Sequence, residues 1–121
     1  MKQYAFPFGL CIAIAIAGYF SNATQTLGAH PFWADKTILL GTPIGLILGY
    51  YSVRLPYARA IVGLVGLTVV TFAIAHTGKT RFAASFAEDT FAGTMWFFGW
   101  HAVVICAIAA LFVAAANLKR S

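Results

Sequence analysis

Four apolar runs, roughly Tyr4 to Phe20, Thr37 to Val53, Ala58 to His76 and Phe91 to Ala116, take up most of a 121-residue chain. Apart from Arg59 at the border of the third, they hold no Asp, Glu, Lys or Arg. A water-soluble domain needs a wettable surface, with about a quarter of its residues charged. Here charged residues make up 9% and hydrophobic residues 61%, with a mean hydropathy of +0.84. Lipid is the solvent that suits such an exterior. Each run can reach across about 30 Å of hydrocarbon at about 1.5 Å per residue, the first two only just. Backbone polar groups in lipid need internal partners, and a helix supplies them within one segment. The reading is an all-α, polytopic integral membrane protein: four transmembrane helices forming a single domain over residues 1–121. A signal peptide is the competing reading of residues 1–23, with Lys2, an apolar core, then Ser21 and Ala23 at small-residue positions. We take the segment as a helix retained in the chain.

Charge sets the direction. The N-terminus, the turn RLPYAR and the C-terminal tail carry Lys2, Arg54, Arg59, Lys119 and Arg120 and no acid. The segments 21–36 and 77–90 carry Lys36, Lys79 and Arg81 against Asp35, Glu88 and Asp89, which balance. The positive-inside rule then puts both termini in the cytoplasm and both balanced loops outside, as in a bacterial inner membrane. The net charge of +5 is thus topological, and no basic run with interleaved aromatics points to nucleic acid. Cys11 and Cys106 lie in apolar stretches and form no CxxC spacing, so neither a disulfide nor a zinc site is expected.

Pro56 suits the short turn, whereas Pro43 falls inside the second run, where it frees the Leu39 carbonyl and should bend the helix. ADKTILLGT (34–42) and AEDTFAGT (87–94) echo one another. The ordinary reading is two helices starting at the same membrane face with acid or Thr caps, and the alternative is a parallel duplication.

Small residues recur every fourth position: Gly9, Ala13 and Ala17; Gly41, Gly45 and Gly49; Ala102, Cys106, Ala110 and Ala114. The third run has Gly63 and Gly66 instead. Such stripes let backbones approach where lipid removes the hydrophobic drive between helices. Three stripes exceed what a small bundle needs, so a homo-oligomer or other membrane subunits are expected as partners beside the lipids.

Polar chemistry is scarce. No ionisable group stands at a span's centre, which disfavours an ion-coupled pump. By helical rise, His101 lies about 22 Å above Ala116 and His76 about 24 Å above Ala60, so the two stand at similar height. Trp33, Trp96 and Trp100 read as an aromatic belt anchoring the outer interface. His30 in the outward loop, with Asp35, Lys79, Arg81, Glu88 and Asp89, completes a polar cluster on that face. Neutral imidazoles can ligate haem iron, although no HxxxH or HxxE spacing supports this, and a hydrogen-bonded interfacial histidine is the plainer reading. Lys79 and Arg81 read as a solvated loop able to meet a lipid phosphate. No nucleophile motif or phosphate cradle is present. The expectation is a non-catalytic subunit of a larger respiratory, photosynthetic or transport complex. The alternatives are a small homo-oligomeric channel or passive transporter, and a haem- or quinone-binding protein using His76 and His101.

Overall fold

The computed structural model describes residues 4–120, leaving aside the side chains of residues 119 and 120, so the expected charge anchors Lys2, Lys119 and Arg120 lie outside the described residues and side chains. The chain is all-α and 85% helical, with no strand among the described residues. Its elements are α1 (Ala5–Phe20), α2 (Ala23–Leu27), α3 (Ala34–Ser52), α4 (Tyr57–Ala84) and α5 (Thr90–Arg120). Two segments, Tyr57–Ala84 and Thr90–Leu118, are long and apolar enough to cross a membrane. The apolar helix α1 is shorter.

Helix α5 is the hub, with α3 and α4 packed along it and α1 laid against α3 and α5. The glycines set the registers. A Cβ added at Gly41 would meet Val104 and the His101 carbonyl, one at Gly45 the Ile105 carbonyl and Ile108, and one at Gly49 Phe112 and Ala109. The numbers rise together, so α3 and α5 run parallel, at a separation that only a residue without Cβ permits. Gly78 faces Ala92, Met95 and Trp96, and Gly99 faces Ala75, so α4 runs antiparallel to α5. Cys11 of α1 donates its thiol hydrogen to the Ile108 carbonyl at 3.7 Å, while Tyr4 and Phe8 meet Phe112. One core gathers Cys11, Leu64, Ile108, Phe112 and Val113, and a second gathers Ala29, Ala75, Trp96 and Trp100.

The segment 77–90, expected as a loop, is mostly helix. Gly78 is a contact rather than a breaker: it is buried where α5 crosses closest. Thr80 Oγ1 donates to the His76 carbonyl at 3.0 Å, spending its hydroxyl on the helix. Lys79 and Arg81 therefore ride the end of α4, where a cation also suits the helix dipole. Only residues 85–89 connect the helices. Phe86 and Ala87 take positive φ, 56° and 68°, which non-glycine residues adopt at a cost. Side chains hold this turn. Ser85 Oγ donates to the Phe82 carbonyl and accepts from the Asp89 N–H, both at 2.9 Å. Asp89 Oδ1 accepts the Ala92 N–H at 3.0 Å, an N-cap of the kind that contributes about 1 kcal/mol, and Oδ2 stands 3.7 Å from Arg81.

The segment 21–36 is also shorter than expected as a loop, since it contains α2 and the first turn of α3, with Asp35 favourably placed at that helix N-terminus. The residue before α3 is Trp33, with no side-chain cap. Asp35 and Asp89 of the echoed segments thus hold different positions, one within a first turn and one capping. Helix α3 continues through Pro43, and Pro56 immediately precedes α4.

Candidate functional site

The polar and aromatic residues gather where the 28–33 segment lies against α5. Gly28 has φ +132°, a conformation that favours glycine, and a Cβ there would approach Lys79 Nζ and Trp100. Its carbonyl accepts the Trp96 indole N–H at 2.9 Å. The elbow between α2 and α3 is tied by two hydroxyls on one acceptor: Thr24 Oγ1 and Thr37 Oγ1 donate to the Ala34 carbonyl at 2.9 and 2.6 Å. Both threonines are buried. This leaves Trp33 turned inward, edge-on to Trp96 at 5.4 Å and to Phe97 at 5.1 Å.

Trp33 also meets two histidines. His30 stacks on it at 6.0 Å and 23°, and the ring of His101 lies 6.3 Å away at 34°. His30 Nδ1 accepts the Phe32 N–H at 3.0 Å, so its neutral ring carries the proton on Nε2. In His101 the assignment is reversed. Nδ1 stands 2.8 Å from the Phe97 carbonyl, which can only accept, so Nδ1 carries the hydrogen and Nε2 keeps a lone pair. That Nε2 is buried without a partner among the described residues.

His76 has other company. It is exposed on α4, stacked on Phe72 at 6.4 Å and 8°, and Phe72 meets Trp100 edge-on at 5.6 Å. The structure therefore brings His30 and His101 to one indole, that of Trp33, whereas His76 packs on Phe72. Among the described residues, no group of three or more His, Cys, Asp or Glu side chains is placed to hold a metal ion.

Trp96 and Trp100 are 9% and 3% exposed, buried between α4, α5 and the 28–33 segment. An interfacial anchor keeps its indole N–H for headgroups and water, but the Trp96 N–H is spent on Gly28. Phe32 does project, at 82% exposed. Of the charged residues, Glu88 is exposed in the 85–89 turn, Asp35 sits at the start of α3, and Arg81 pairs with Asp89.

The glycine stripe Gly41, Gly45 and Gly49 is buried against the face of α5 that carries His101, Val104, Ile108 and Phe112. Ala102, Cys106 and Ala110 occupy another face of α5, which continues by helical spacing from Gly99, the residue that meets Ala75 of α4. Sequence reading overlooked Gly78, Gly93 and Gly99, the glycines nearest to the α4–α5 contact. A seven-residue recurrence of small side chains, Ala92, Gly99 and Cys106, was the available signal. Gly63 and Gly66 face open space. Compared with protein-family models, with curated proteins and with solved structures, the chain matches none.

Proposed function

We propose that the chain is a small, non-catalytic integral membrane subunit that spans the bilayer four times with both termini in the cytoplasm, and that it docks partner subunits through the outer face of α4. The carrying observation is that face. Of the 28 residues of α4 only Ala60, Leu64, Ala75 and Gly78 are buried, while Val62 and Val69 are 71% and 63% exposed. Gly63 and Gly66 stand among them, and a methyl added to either would have nothing within 4 Å. A helix this apolar on its outer side is stable in lipid, and its glycines offer another helix the same close approach that Gly45 offers α5. Helices α1 and α3, about 24 and 28 Å long at helical rise, accompany α5 across a locally thinned or tilted bilayer. Arg54 and Arg59 at the α3–α4 connection support the orientation. The inner membrane of a bacterium is the setting this topology suits.

Native mass spectrometry from a mild detergent tests the reading. The wild-type chain is expected in a particle heavier than one copy, and Gly66→Leu, which fills open space in the lone chain, is expected to lower that particle's yield about tenfold without lowering the thermal midpoint of the bundle. A wild-type particle of one chain contradicts the docking role.

A further inference from the structure

We propose that the groove between α1 and α3 binds a lipid-soluble molecule that ends in a hydroxyl group. Among the described residues, two buried side-chain polar atoms lack a partner: Thr42 Oγ1 and His101 Nε2. Of the two, only Thr42 lines the groove between α1 and α3. Thr42 is only 9% exposed. Other helical hydroxyls, such as those of Ser52 on α3 and Thr68, Thr71 and Thr80 on α4, donate to the carbonyl four residues back at 2.7 to 3.0 Å. Thr42 makes no such bond, so its donor is unspent. Its neighbour Pro43 has no N–H, so the Leu39 carbonyl loses the donor that a helix normally supplies.

Leu39, Thr42 and Pro43 line a groove of about 500 Å³ together with Ile12, Ile16 and Tyr19. That volume lies within the range of small-molecule sites, and the walls are almost wholly apolar. An acyl tail can fill such a groove, but it answers none of the polar atoms. A hydroxyl answers two of them: its oxygen accepts from Thr42, and its hydrogen goes to the Leu39 carbonyl. Thr42 Oγ1 is covered in the empty groove. Threonine has two accessible χ1 rotamers in a helix, and binding selects the one that turns the hydroxyl toward the ligand.

The test uses the full chain in detergent, with geranylgeraniol and the matching hydrocarbon lacking the hydroxyl as probes, read by native mass spectrometry. The wild type is expected to retain the alcohol about tenfold better than the hydrocarbon, the size of one well-made hydrogen bond. Thr42→Val keeps the shape and is expected to reduce the preference below about twofold. Thr42→Ser restores it, and Thr68→Val, which removes a hydroxyl already bonded to Leu64, leaves it unchanged. Equal retention of the two probes by the wild type overturns the proposal, as does a preference that survives Thr42→Val. A disulfide between two chains through Ile16→Cys, formed without probe and blocking its uptake, also overturns it by making a second copy the occupant.

Discussion

Replacing Gly78 with alanine is expected to destabilise the bundle by about 1–3 kcal/mol, the usual cost of overpacking a tight contact. The new methyl would stand 2.6 Å from both the Ala92 carbonyl oxygen and the Trp96 backbone nitrogen, and 2.8 Å from Met95 Cβ. Two of the three neighbours are backbone, so no rotamer change relieves the clash and α4 must move off α5. The contrast is Gly66→Ala. Nothing lies within 4 Å of that position, and exchanging a mid-helix glycine for alanine stabilises by about 0.5–1 kcal/mol. Reversible unfolding in mixed micelles, followed by helical circular dichroism, should move the midpoint in opposite directions for the two variants. A shift of the same sign for both would contradict the packing described.

Phe112→Ala carries the largest expected loss, about 3 kcal/mol, the lower end of the range for truncating a buried phenylalanine. The lower end applies because apolar transfer contributes little when lipid is the alternative solvent, while the lost packing remains. Phe112 is fully buried, its ring meets Phe8 edge-on at 4.9 Å and Tyr4 at 6.1 Å, and its Cβ would lie 2.6 Å from a methyl at Gly49. One side chain therefore joins α1, α3 and α5. Phe112→Leu keeps most of the volume and is expected to cost less than about 1.5 kcal/mol. The same unfolding assay checks both, and equal losses would show that the ring's contacts with α1 contribute nothing.

The helical class and most of the helix positions were legible in the sequence, because long uncharged apolar runs leave a chain few alternatives. The ends were harder to place. Lys79, Arg81 and Gly78 look like loop residues when polarity is the guide, but Gly78 serves a helix contact, and the cations sit on a helix end that protrudes past its apolar part. Gly41, Gly45 and Gly49 pack on α5, but glycine spacing alone did not reveal that partner, since a stripe has no direction until a second helix is placed. Gly63 and Gly66 show the same limit in reverse: among the described residues nothing lies within 4 Å of a Cβ at either.

The polar site was half legible. Helical rise places His76 and His101 at similar height, but height says nothing about the side from which a ring projects. Trp33 decided the outcome. Because Thr24 and Thr37 bind the Ala34 carbonyl, the chain enters α3 with Trp33 facing inward, and His30 and His101 become its neighbours. The burial of Trp96 follows from its bond to Gly28, a residue 68 positions earlier in the chain, and such long-range pairings leave no periodic trace.

Helix α5 is enclosed, while α4 presents its apolar face outward. Nitroxide labels placed singly at Val62, Gly66, Val69 and Ala109, in the isolated chain reconstituted into bilayers, test it by relaxation with oxygen and with a water-soluble nickel chelate. Strong relaxation by oxygen and little by nickel is expected at Val62, Gly66 and Val69, with protection from both at Ala109. Nickel relaxation exceeding that of oxygen along α4, or an Ala109 label as accessible to oxygen as one at Gly66, would contradict it.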